Sequence, residues 1–194
     1  MNLKSMLLAD IDQKIRLCTK CPLCNSKKNY VPGCGPQNAE VVFVSDAPKP
    51  ADDNSGIPMS GDQGALFDSY LDFLGLESES VFITQAVKCR APKDRKPKKK
   101  EIDTCLPYFY QQVESIKPKL VIILGELAFN SIFQDCTFAK CRGDLLTKHG
   151  VMYSSTYHPG HALRVPTVKI DIVEDLKRIR TYLTQLGVKV NQII

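Results

Sequence analysis

Apolar residues recur along this chain in two rhythms, and the switches between them predict an alternating series of helices and strands. Residues 2–17 place Leu3, Leu7, Ile11 and Ile15 at every fourth position, the repeat of a single helix face. Val41-Val42-Phe43-Val44 is instead a short continuous apolar run, which predicts a strand buried on both faces. The same reading gives strands over 81–87, 120–124 and 151–156. Helices are predicted over 65–74, 101–116, 126–133 and 170–186, the last with Ile170, Val173, Leu176, Ile179 and Leu183 on its inward stripe. Gly75, Pro118 and Gly125 punctuate these segments. The stretch from Ala47 to about Gly61 reads as a long polar loop, and 134–150 has a mixed pattern.

Strands alternating with helices predict an α/β fold: a three-layer α/β/α sandwich around a four-stranded, mostly parallel sheet, built as one domain over 1–194. Ligands of such sheets bind at the carboxyl ends of the strands. Asp46, Gln85 and His158 all stand at predicted strand ends and so converge on one crevice. Singly, Asp46 reads as a strand-end cap, Gln85 as a satisfied buried amide and His158 as a turn residue before Pro159. Their shared location, together with the resemblance described below, gives them a functional reading.

Charge and cysteine content add a second feature. The net charge of +5 is concentrated in residues 88–100, where eight Lys or Arg face the single Asp94. Such a run is usually a solvated loop, but this one lies between Cys89 and Cys105, with fifteen residues between them. Cys18-x2-Cys21 and Cys24 lie near the N-terminus. Two pairs of thiolates could hold zinc or an iron-sulfur cluster, and spacing leaves both open. Cys34 and Cys136 fit buried bystanders. The short spacings, and an N-terminus without a signal-peptide pattern, speak against a secreted disulfide framework. No apolar run approaches the ~20 residues of a membrane span. A cytoplasmic, monomeric protein is expected.

The motifs carry a resemblance. Cys18-x2-Cys21, Val31-Pro32-Gly33, Ala47-Pro48, Gly56-x-Pro58-x2-Gly61-x2-Gly64 and Val81-x-Ile83-Thr84 stand in order along the chain. Val87-Lys88-Cys89-Arg90-x-Pro92-x2-Arg95-x-Pro97 then runs on to Cys105, followed by Leu124-Gly125, Arg142-Gly143 and Tyr157-His158-Pro159 with Leu163-Arg164. Over nearly its whole length the chain resembles the family 4, iron-sulfur uracil-DNA glycosylases.

That resemblance implies a base-excision-repair hydrolase that cleaves the bond between a damaged base and deoxyribose after the base leaves the stack. It implies DNA containing a damaged base as partner, and a structural 4Fe-4S cluster on Cys18, Cys21, Cys89 and Cys105. It implies catalytic roles for Asp46, which aligns water or steadies the sugar cation, and His158, which supports the leaving base. Ala47, Asp52, Met59 and Gln85 would bind the substrate. Lys88, Arg90 and Arg95 would face phosphates, while Leu163 and Arg164 would enter the minor groove. Three pocket positions depart from the pattern: Ser45-Asp46-Ala47-Pro48-Lys49 stands for the family's Gly-Glu-Ala-Pro-Gly, Met59 for its stacking Phe, and Gln85 for its uracil-reading Asn. These departures leave a second reading, a DNA-binding paralogue with weak or no uracil excision.

Overall fold

Continuous apolar runs become central strands here because both of their faces are covered. The computed structural model describes residues 3–191, with side chains from residue 8 onward. Strands β1 (Val41–Ser45), β2 (Phe82–Gln85), β3 (Leu120–Leu124) and β5 (Val151–Thr156) form the parallel body of the sheet, and β4 (Leu146–Lys148) runs antiparallel to β5 at one edge. The order is β2-β1-β3-β5-β4. Five strands therefore replace the four expected. The added β4 is only three residues long and partly exposed, so it carries no apolar run to betray it.

Among the described residues, eight α-helices accompany the sheet: α1 (Leu3–Arg16), α2 (Pro50–Ser55), α3 (Asp62–Leu74), α4 (Lys99–Ile116), α5 (Glu126–Ile132), α6 (Phe138–Cys141), α7 (Pro159–Ala162) and α8 (Lys169–Gln185). Alternate residues of each strand feed opposite layers. Phe43, Ile122 and Leu124 pack with Phe67, Leu71 and Leu74 of α3 and with Leu176, Ile179 and Leu183 of α8. Val42, Val44, Val121 and Ile123 pack with Phe109 and Val113 of α4 and with Phe129 of α5.

The expected stripe of the last helix is corrected. The inward residues of α8 are Ile172, Leu176, Ile179 and Leu183, whereas Ile170 is 73% exposed and Val173 40% exposed. Those two lie off the 3.6-residue stripe that meets the sheet. In α1 the buried face includes Ile11 and Ile15, as expected; residue 2 and the side chains of Leu3 and Leu7 lie outside the described residues. A third small core of Ile11, Ile15, Leu23, Val87 and Tyr108 joins α1 and α4 around Cys89 and Cys105. Cys136 is not a buried bystander: its sulfur and that of Cys141, the last residue of α6, form a disulfide pair.

The sheet reverses its direction of strand addition between β1 and β3, the place where open α/β sheets form a crevice at their carboxyl ends. Asp46 follows β1, Gly125 follows β3 and Tyr157-His158 follow β5.

Candidate active site and cysteine cavity

Asp46 and His158 meet at the crevice because Gly125 lets them. Gly125 has a φ of +106°, and a Cβ on it would stand 2.9 Å from Asp46 Oδ1 and 3.2 Å from the His158 Cβ. A side chain there would push both groups away, and an L-residue would be strained at that φ as well. The backbone N–H of Ala128, in the first turn of α5, donates to Asp46 Oδ1 at 2.8 Å. Oδ2 has no hydrogen-bond partner among the described residues. Burial pushes the Asp46 carboxyl up to about 6, against the opposing pull of the Ala128 N–H and of Lys49 and Lys96.

His158 is 7% exposed and caps the single turn of α7. Its Nδ1 accepts from the Gly160 N–H at 3.0 Å, which puts the ring proton on Nε2. Burial, followed by Lys49, Arg164 and His161, pulls its pKa down to about 3. The imidazole is thus a neutral donor over the working pH range.

The same crevice is walled by Ala47, Lys49, Ser60, Gln63 and Tyr157, with Arg95, Lys96, Leu163 and Arg164 around it. Leu163 is 51% exposed at the crevice. Tyr157 stacks on His161 with ring centroids 5.5 Å apart, and the Arg142 guanidinium lies 5.4 Å over the Tyr157 ring.

Asp52, Met59 and Gln85 are not in this wall. Met59 is buried in the core beside Phe43 and Phe67 at a left-handed φ of 56°. Its side chain does not line the crevice, where the Tyr157 ring does. Asp52 and Gln85 lie behind the wall as a hydrogen-bonded pair, with Gln85 Nε2 donating to Asp52 Oδ2 at 3.1 Å. Burial raises the Asp52 pKa, and the N–H groups of Lys49 and Ser60, with the amides of Gln85 and Gln63, oppose that rise.

The basic loop is also redistributed. Lys88 is 1% exposed, and its ammonium donates to Thr84 Oγ1, the Gln85 carbonyl and Gln112 Oε1. It cannot face a phosphate, because its stem points between β2 and α4. Arg90 is clamped to Asp94 at 2.8 and 3.1 Å, and Arg95 to Glu101 at 2.8 and 2.7 Å. The arginines shape the loop, leaving Lys93, Lys96, Lys98 and Lys100 exposed on it.

Cys18, Cys21, Cys24, Cys89 and Cys105 line one small cavity, together with Ile15, Tyr30, Val87 and Tyr108. Burial, and then the neighbouring sulfurs of Cys105 and Cys21, pushes the Cys89 thiol up. Burial also raises the Cys21 and Cys105 thiols. The Lys88 N–H donates to Cys105 Sγ at 3.2 Å, and the Tyr30 hydroxyl fixes the Cys18 carbonyl at 2.8 Å. Among the described residues, no three ligand side chains close around a single-ion position.

Two residues of the site carry only weak sequence signals: Gln63 lies in a helix start with no motif of its own, and Lys49 stands out only as a departure from the family pattern.

Comparison with known proteins fits this geometry. The profile of the Uracil DNA glycosylase superfamily matches residues 32–177. A Type-4 uracil-DNA glycosylase of Archaeoglobus fulgidus is 36% identical over 181 residues, covering 89% of this chain and 91% of its own. One of Saccharolobus solfataricus is 34% identical, covering 97% and 90%. A Type-5 uracil-DNA glycosylase of Pyrobaculum aerophilum is 33% identical over 73% of this chain and 70% of its own.

Proposed function

The chain belongs to the Uracil DNA glycosylase superfamily, and we propose that it is a DNA repair glycosylase that hydrolyses the N-glycosidic bond of uracil in DNA. The observation that carries this reading is the packing of the Asp46 carboxylate and of His158, through its Cβ, against the same Gly125 at the crevice.

The target nucleotide leaves the stack and enters the crevice, with Leu163 and Arg164 filling the gap in the duplex. Asp46, held through Oδ1 by the Ala128 N–H, turns Oδ2 to the attacking water and steadies positive charge on the sugar. His158 donates its Nε2–H to the departing base as negative charge gathers there. A prepositioned neutral donor in a site shielded from water suits that role. The exposed lysines of the basic loop hold phosphates without reading sequence.

Cys18, Cys21, Cys89 and Cys105 are the proposed ligands of a 4Fe-4S cluster, with Cys24 at the edge of the same cavity. The residues fit the group. Thiols crowded together, with Cys89 and Cys105 buried, gain by becoming thiolates on a cationic cluster, and the Lys88 N–H bond to Cys105 is the kind that tunes a cluster sulfur. Its contribution is structural: it ties the N-terminal segment to the base of the basic loop.

The test is incubation of purified protein with oligonucleotides carrying uracil, hypoxanthine or xanthine, followed by alkaline cleavage of abasic sites. Strand cleavage at uracil that disappears in Asp46→Ala is expected. The withdrawal of Met59 from the wall favours a second reading, DNA binding with weak excision; tight binding with no cleavage at any base would select it.

A further inference from the structure

Behind the crevice wall, Asp52 gathers a set of donors. Its side chain is fully buried, and its carboxylate accepts from the Lys49 N–H at 2.9 Å, the Ser60 N–H at 2.8 Å, Gln63 Nε2 at 3.0 Å to each oxygen, and Gln85 Nε2 at 3.1 Å. Gln85 is 1% exposed, and its Oε1 is buried with no protein partner. An unpaired carbonyl at such depth is costly unless something arrives to satisfy it.

A carboxylate accepts and cannot donate, so only one orientation of the Gln85 amide is compatible with it. The NH2 end faces Asp52 and the carbonyl faces away. We infer that Asp52, assisted by Gln63, is a specificity-determining positioning residue: it locks the Gln85 amide so that the carbonyl meets a base with a ring N–H and rejects a base with a ring acceptor.

This rests on the glycosylase reading and deepens it. Uracil offers N3–H to the locked carbonyl, and the second hydrogen of Gln85 Nε2 remains for the adjacent O4. Cytosine offers an acceptor at N3, so two lone pairs would face each other in a dry site. Gln63 couples this lock to the catalytic turn. It lines the crevice, and its Oε1 stands 3.6 Å from where a Cβ on Gly160 would lie, beside the N–H that orients His158.

The experiment measures affinity for single-stranded oligonucleotides bearing one 2′-fluoro-2′-deoxyuridine or one 2′-fluoro-2′-deoxycytidine, whose fluorine slows cleavage. The wild-type protein is expected to favour the uracil strand by about tenfold or more. Asp52→Asn is isosteric and can present either amide end to Gln85, so Gln85 can turn over; the preference is expected to shrink toward unity through tighter cytosine binding. A merely structural role would weaken both strands alike. Gln85→Met, which removes the reading group without a charge change, is expected to erase the preference and serves if Asp52→Asn does not fold. The inference is overturned by a wild-type protein without preference, by Asp52→Asn that keeps it or loses both strands in parallel, or by Gln85→Met that keeps it. Excision of uracil by the wild type, measured alongside, separates the two claims: a preference erased in Asp52→Asn without excision upholds the lock and overturns the glycosylase reading.

Discussion

At the scale of single residues, Asp46 and His158 hold opposite anomalies for the same reason. Both are desolvated, which raises the acid and lowers the base. Their effects on stability have opposite signs. The unfolded chain protonates His158 near 6.5 while the fold refuses the proton down to about 3, so its contribution to stability is lost as pH falls through that window. Asp46, raised from 3.8 to about 6, carries a cost of ionisation that is fully present above about 6 and disappears as pH falls toward 3.8. Asp46→Asn is therefore expected to raise the thermal midpoint at pH 7.5, by an amount that shrinks toward pH 4.5, while uracil excision falls by about 100-fold or more. Thermal melts at the two pH values check the sign. Asp46 and His158 are legible in the sequence because strand ends identify them. The burial of Lys88 is not, because a run of basic residues gives no sign of which stem turns inward.

At the scale of elements, Gly125 and the basic loop are the sensitive joints. Gly125→Ala is expected to cost about 1–3 kcal/mol in stability from its positive φ. It is also expected to lower excision well beyond that loss, by about 100-fold, because the new Cβ separates Asp46 from His158. Urea denaturation and single-turnover excision on one preparation distinguish the two effects. In the loop, exchanging Lys96, Lys98 and Lys100 for Gln is expected to weaken binding of any DNA sequence. The salt dependence on duplex should flatten by a slope of about 0.9 for each phosphate no longer neutralised. Arg95→Gln is expected instead to destabilise the loop by leaving the buried Glu101 without its clamp. The helix α2 escapes the hydrophobic pattern because its buried side chains are Asp52 and Asp53, polar groups whose burial is offset by hydrogen bonds. Apolar rhythm passes over such a helix.

At the scale of the whole molecule, the central strands are legible because both faces are buried, and their carboxyl ends alone place the crevice. What the sequence does not disclose is depth: Met59 in the core, Gln85 and Asp52 behind the wall, and the half-exposed edge strand β4. The cysteine cavity joins the N-terminal segment to α4, so loss of the proposed cluster would loosen both. Cys89→Ser is expected to lower the iron content and the thermal midpoint together, as measured by elemental analysis and melting. The most direct test of Asp46 and His158 as the catalytic pair is the single-turnover rate of uracil release across pH 4.5 to 8. A one-proton acid limb with a midpoint near 6, set by Asp46, is expected, with no second limb from His158 within that range. Uracil release independent of pH through 6, or no release at any pH, would contradict that assignment.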